Sequence, residues 1–350
     1  MCLAASCSMD SDTTSSDVTA SLGSGDQAAI SLQLSVGGIG TKAETVSNPG
    51  NPATQSIADT KTISNCSVII LKGSNVLSAT DNVSVDATTQ LATTQFYVKK
   101  QSDNSALSVM VIANTTATFS DCTNLTSINA KIQKTDDLAK LPKIGTSTIT
   151  VTNFYRTMAE ATANPTTIEI VLHQLAASVV LDAFTVTDES FGTTNPKNVT
   201  VNKVTLLNIH NNCKTILDSD NSGSNVATGD ANTSSTPKVL NLPVFTYDKA
   251  TNTKTSSPLT EGNGYFFTFP SVDTQDASAV AMQVDYTVGD QSFSKVYKIK
   301  HDTNTIGVRS GYLYKLKMNM TLKSDEIYFK VTCYTLDWNY NQLSVNLEEI

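Results

Sequence analysis

Residues 324–350 read Ser-Asp-Glu-Ile-Tyr-Phe-Lys-Val-Thr-Cys-Tyr-Thr-Leu-Asp-Trp-Asn-Tyr-Asn-Gln-Leu-Ser-Val-Asn-Leu-Glu-Glu-Ile. Ile327, Phe329, Val331 and Cys333 alternate with their neighbours at period two, the pattern of a strand with one buried face. Leu336, Trp338 and Tyr340 fall on the opposite parity, and Leu343, Val345 and Leu347 switch back. The polar residues 339–342 break the two runs. The spacing predicts two successive strands, the second running almost to the terminus. A terminus frays unless it is tied down. An apolar strand pair holding the chain's one tryptophan needs a sheet to join, its own or a neighbour's.

Working outward, the rest of the chain repeats this β-rich character. Its 350 residues are long enough for two domains of ordinary size. Hydrophobic content is 39% and charge 16%, with Ser, Thr and Asn filling the gap. Thr and Val build strands and Asn and Ser build turns, which suits an extended all-β surface protein. The formal charge of -8 argues against nucleic acid, since phosphate binding needs clustered Lys and Arg. Arg156 and Arg309 are the two arginines. No apolar run is long enough for a spanning helix.

At the start, Met1-Cys-Leu-Ala-Ala-Ser-Cys-Ser looks like the tail of a secretion signal. Small residues precede Cys7, and a polar tract follows as a tether. This resembles a bacterial lipobox, in which the cysteine is acylated, although Leu3 lies one position further out than usual. Ile30, Leu32, Leu34 and Val36 then alternate with Ser31, Gln33 and Ser35 as an amphipathic strand. A small-residue segment carrying Lys42 follows, so Lys42-Ala43 is an accessible bond for a protease. An ordinary first strand and loop would read the same way.

Beyond it, Val68-Ile69-Ile70-Leu71 is followed by a Gly73-Ser74 turn, and residues 96–99 and 107–113 read as strands. Residues 123–141 are the best helix candidate, closed by Leu141-Pro142. Residues 147–154 read as another strand. Asn164-Pro165 marks a boundary, after which Ile168, Ile170 and Leu172 alternate, then Ala177, Val179 and Leu181. Runs at 199–209, 239–245, 265–269, 279–288, 293–299 and 312–322 follow, separated by polar or glycine-containing loops. Strands at this spacing suggest sandwiches or partly open barrels. An amphipathic strand followed by a longer apolar one, at 30–36 with 64–71 and again at 168–181 with 199–209, suggests two similar domains in tandem.

Chemistry-bearing motifs are sparse. His173, His210 and His301 lie in unrelated segments, with no H-E-x-x-H, G-x-S-x-G or P-loop, and nothing proposes an enzyme. Asp218-Ser-Asp-Asn-Ser-Gly223 begins like a calcium loop, but Gly229 stands where the bidentate Glu belongs, so a connecting loop is expected. No cofactor or metal is expected. The widely spaced Cys66, Cys122, Cys213 and Cys333 read as buried strand residues. A disulfide among them stays open outside the cytoplasm. Asn-x-Ser/Thr triplets are numerous, as chance expects in such a composition.

Several of these segments together resemble the FimA-type major fimbrial subunits of Bacteroidales, the type V pilins. Cys333-Tyr-Thr-Leu-Asp-Trp-Asn-Tyr-Asn-Gln-Leu-Ser-Val345 is similar to that family's terminal strand pair. Arg309-Ser-Gly-Tyr-Leu-Tyr-Lys-Leu316 resembles its R-x-G-x-x-Y strand. Ile170-Val-Leu-His-Gln-Leu-Ala-Ala-Ser-Val179 resembles the strand opening its second domain, with Gln174 where the family has Arg. Tyr265-Phe-Phe-Thr-Phe-Pro270, Val109-Met-Val-Ile-Ala-Asn114 and Leu141-Pro142 are similar to further segments.

The resemblance implies two transthyretin-like β-sandwich domains and export to the cell surface as a lipoprotein with a transient outer-membrane anchor at Cys7. The domain plan becomes 1–7 as truncated signal, 8–42 as tether and removable first strand, 43–165 and 166–323 as sandwiches, and 324–350 as the terminal strand pair. A processing protease would cut at Lys42-Ala43, where the family usually has Arg, and release Ile30, Leu32, Leu34 and Val36. The donor strand led by Leu343, Val345 and Leu347 of another copy, or of a related fimbrial subunit, would fill the gap. A host or bacterial surface receptor is a further implied partner. Two alternatives remain: a non-polymerising tip or anchor adhesin of the same family, or a surface glycan-binding β-sandwich lipoprotein.

Overall fold

The computed structural model describes residues 27–36, 63–99, 106–134, 140–150, 154–189, 198–217, 238–240, 245–248, 250–251, 253–256, 260–261, 264–271, 279–301, 307–322, 327–337 and 342–347. The first half forms β1 (Gln27–Ser35), β2 (Asn65–Lys72), β3 (Asn75–Ser84), β4 (Leu91–Lys99), β5 (Leu107–Ala113), α1 (Leu125–Ala130), β6 (Ile132–Lys134), β7 (Lys143–Ile149), α2 (Met158–Ala163), β8 (Thr166–Glu169) and β9 (His173–Gln174). The second forms β10 (Ala177–Asp188), β11 (Val199–Leu207), β12 (Asn212–Lys214), β13 (Lys238–Leu240), β14 (Phe245–Asp248), β15 (Thr253–Ser256), β16 (Thr260–Glu261), β17 (Gly264–Thr268), β18 (Ala281–Val288), β19 (Gln291–Lys298), β20 (Tyr312–Leu322), β21 (Ile327–Asp337) and β22 (Gln342–Leu347). The chain is all-β in class.

In the first half a small sheet, ordered β4-β1-β8, faces a larger one, ordered β3-β2-β5-β7-β9. Between them lies a core that takes Ile30, Leu32 and Leu34 from β1, Val68 and Ile70 from β2, and Val109 and Val111 from β5. The intervening residues Ile69, Leu71, Met110 and Ile112 point the other way. They meet Phe267, Phe269, Leu313 and Cys213 from the second half. Strands β2 and β5 of the larger sheet are therefore buried on both faces. That explains why Val68-Ile69-Ile70-Leu71 is continuously apolar instead of alternating.

The second half pairs a sheet ordered β16-β17-β10-β20-β21-β22 with one ordered β15-β14-β11-β18-β19. Its core draws Val201, Val204 and Leu206 from β11, Val284 and Tyr286 from β18, and Leu316, Met318 and Met320 from β20. A two-stranded pairing of β6 with β12 joins the halves, reinforced by Gln133 Nε2 donating to Thr215 Oγ1 at 2.6 Å.

Two sequence expectations change. Where a helix is expected over 123–141, the described residues form α1, six residues long, with Asn124 and Ser127 forming a capping box. It stops because Lys131 turns extended and 132–134 are drawn into the pairing with β12, a tertiary partner that outweighs local propensity. The strand expected over 147–154 instead starts at Lys143 and ends at Ile149, where its ladder with β5 ends. Strands β8 and β9 pair with β1 and β7, and Ile168, Ile170 and Leu172 enter the same core as the inward row of β1.

Candidate functional site

The segment that combines an amphipathic pattern with an unusual setting is β1. All nine of its residues pair antiparallel with β4, from Gln27 opposite Lys99 to Ser35 opposite Leu91. On its other side Leu32–Ser35 pairs parallel with β8. Ala29 and Tyr155 exchange backbone bonds, 2.8 Å each way. The Val36 N–H donates to the Gln90 carbonyl at 3.1 Å, and the Ile170 N–H to the Ser35 carbonyl at 3.0 Å. In its sheet, ordered β4-β1-β8, this strand is central.

Its inward row, Ile30, Leu32, Leu34 and Val36, is 0% exposed throughout. Burying such side chains contributes about 1.5–3 kcal/mol each, so the row supplies roughly 6–12 kcal/mol before ordering costs. Its outward row is graded. Ala29 and Ser31 are buried, whereas Gln33 and Ser35 are half-buried. The cover comes from α2, whose Ala161 is buried and whose start is fixed by a Thr157–Glu160 capping box. Gln95 Nε2 of β4 donates to Thr162 Oγ1 of α2 at 3.0 Å. Sequence reasoning passes over α2, yet the T-x-x-E spacing of its cap is a legible signal.

At the other end of the chain β22 has a single neighbour among the described strands. It pairs antiparallel with β21, from Gln342 opposite Leu336 to Leu347 opposite Val331. Leu343, Val345 and Leu347 stand opposite Thr335, Cys333 and Val331. Cys333 and Val331 stand opposite Leu316 and Met318 of β20, which enter the second core.

Cys7, Lys42, Ala43, the tether, the calcium-like loop at 218–229 and the break at 339–341 lie outside the described residues. Cys66, Cys122 and Cys213 are buried free thiols. Burial pushes the Cys66 thiol up to about 12 and raises Cys213 as well, which leaves both unreactive. His173 is half-buried in β9, and His301 Nδ1 meets the Tyr314 hydroxyl at 2.9 Å, which also accepts from the Arg309 N–H at 2.7 Å. No cluster of three His, Cys, Asp or Glu suited to a metal occurs among the described residues. The motifs at 170–179 and 309–316 come together. Ser310 Oγ donates to the Leu175 carbonyl at 3.0 Å, and Gly311, at φ +72°, donates its N–H to Ala176.

The sequence gives no hint of Lys143. It is fully buried, and its ammonium donates to the Leu141 carbonyl at 3.1 Å. Desolvation lowers its pKa to about 8. It lies on β7 two residues from Gly145, so both present the same face. A β-carbon on Gly145 would meet the Val171 carbonyl oxygen at 2.3 Å and Ile170 at 2.8 Å. Lys143, opposite Gln174 of β9, therefore sits on the face of β7 that the chain following β8 crosses on its way to β9.

No protein-family model matches this chain, and no curated protein matches it. The solved structures that it resembles include fimbrial proteins of Bacteroidales. A fimbrial assembly protein from Parabacteroides distasonis is 15% identical, with a TM-score of 0.49 over 92% of this chain and 100% of that one. A fimbrilin from Porphyromonas gingivalis is 11% identical, with a TM-score of 0.49 over 89% and 97%. A C-terminally truncated tip fimbrial protein from the same organism is 8% identical, with a TM-score of 0.45 over 88% and 99%. Likeness at this level assigns no role to any residue.

Proposed function

We propose that this chain is a structural subunit of a surface fimbria, anchored through Cys7 during export and polymerising after a protease cuts at Lys42-Ala43. The single observation that carries the reading is the setting of β1. It is bonded on both sides and buries a whole aliphatic row, and the segment immediately after it carries the cuttable lysine. Its removal would expose two strand edges and an apolar groove. An amphipathic strand from another copy satisfies both by β-augmentation. The row Leu343, Val345 and Leu347 has the required period. Donor and acceptor lie at opposite ends of the chain, so addition is head-to-tail and does not close.

A second reading has its own observation. The pairing of β22 with β21 completes the chain's own sheet, as a non-polymerising tip or anchor adhesin would require. Limited trypsin digestion of the native protein, followed by size analysis, separates the two. Stalk function expects polymers after cleavage and none when residues 343–350 are deleted. A cleaved chain that stays monomeric, or a deletion that still polymerises, removes the stalk reading.

A further inference from the structure

The stretch that closes the first half wraps the strand with which that half begins. Phe154 is buried in the first core, and so are Ile170 and Leu172, so residues 155–169 are pinned at both ends. Between the pins the segment meets β1 on an edge and on a face. Tyr155 bonds to Ala29 on the edge away from β4, and β8 returns to that edge at Leu32–Ser35. In between, α2 lies over the outward face. Gln95 stands opposite Ser31 on β4 and reaches Thr162 of α2, which places the helix above Ser31.

The segment is held mainly by what it covers. The backbone bonds that tie it down run to β1: the exchange between Tyr155 and Ala29, the β8 ladder, and the Ile170 N–H to the Ser35 carbonyl. Thr167 Oγ1 meets Gln33 Oε1, again on β1, at 3.5 Å. Its tie to β4 is the bond between Gln95 and Thr162. The helix has six residues, and an isolated helix of that length is not stable in water. Within the segment Ala161 and Ile168 are buried, whereas β2 is buried continuously from Cys66 to Leu71. Segments with so few buried contacts open locally at a lower cost than the core around them. The two edges of β1 are therefore unequal. Its ladder with β4 runs all nine residues, and its ladder with β8 runs four. With 155–169 open, β1 becomes an edge strand with a wet outward face.

We infer that residues 155–169 form a strap that opens as a unit while the rest of the first half stays folded, and that this opening is the step that lets β1 leave. The role as gate rests on the strand-exchange reading above; the opening itself does not. A cut after Lys42 then leaves β1 in place until the strap lifts.

Native-state hydrogen exchange on the full, uncut chain reads the opening. Amides of residues 161–170 should exchange together and ahead of those of β2 and β5. The gate is read on chain cut after Lys42, by uptake of a fluorescent peptide of residues 27–36 followed by anisotropy. Gln95→Cys with Thr162→Cys, joined by a short reducible bis-thiol linker, ties the strap to β4 and leaves β1 unmodified. Uptake should stop, and should return when the linker is reduced. Thr157→Ala removes the helix cap and should speed uptake about fivefold. Strap amides that exchange no faster than those of β5 overturn the strap. Uptake indifferent to the linker or to Thr157→Ala overturns the gate and leaves strand exchange standing. Cut wild-type chain that takes up no peptide also overturns the gate; if it forms no polymer either, strand exchange falls with it.

Discussion

The first and last described strands carry the same kind of pattern and occupy opposite kinds of place. β1 has strands on both sides and four aliphatic side chains with no exposure. Among the described strands, β22 has a neighbour on one side only. Pattern alone, then, says that a strand wants a partner, and the neighbourhood says how much depends on it. A central strand is a structural member. An edge strand is an offer of pairing that the chain has so far made only to itself.

The largest blow to this contrast comes from Leu32→Ala. It should destabilise the uncleaved protein by about 2–5 kcal/mol, read by urea denaturation, because the void opens in a closed core. A loss below ~1 kcal/mol would mean that β1 does not bear the load its burial implies. Lys143→Met, on β7, should act in the opposite direction. The folded pKa of about 8 lies below the ordinary 10.5. Below pH 8 both states hold the proton and the burial penalty is felt in full. Between pH 8 and 10.5 the unfolded chain binds more protons, so wild-type stability rises with pH. The difference corresponds to about 3 kcal/mol, which K143M recovers at neutral pH while flattening the alkaline rise. Thermal melts of both proteins across that range measure it.

Gly145→Ala sharpens the picture where β8 leads towards β9. Its β-carbon would press on backbone, so a loss of about 1–3 kcal/mol in a thermal melt is expected. Val345→Ala should have the smallest effect on the uncleaved monomer, about 1 kcal/mol or less, since it lies on a strand paired along one edge. If V345A costs as much as L32A before cleavage, the two strands are equivalent and the contrast fails.

Much of the fold is legible in the sequence. The runs at 107–113 and 312–322 coincide with β5 and β20 because each is bounded by clear turn residues or a parity change. Gly73 takes φ +56° in the tight turn expected there. What the sequence hides are partnerships between distant segments. Nothing local says that 132–134 will leave a helix to pair with 212–214, or that Thr166–Glu169 will lie beside β1. The candidate site is half legible: alternation marks both rows, but not that one is central and the other at an edge. Lys143 is invisible, since a lysine in a strand normally faces water.

The twofold burial of β2 has a consequence for how that strand finds its place. In a strand with one wet face, a slip of one residue throws polar groups into the core and is rejected. In β2 a slip would exchange Val68 and Ile70 for Ile69 and Leu71, one aliphatic row for another. Solubility cannot police that error. The guard is instead at the strand's margins. Gly73 sets the hairpin with β3, and Asp81 receives the Ser67 hydroxyl at 2.9 Å and the Phe119 and Ser120 amides at 2.9–3.1 Å. A few polar atoms at the rim thus index a wall whose interior has no preference of its own.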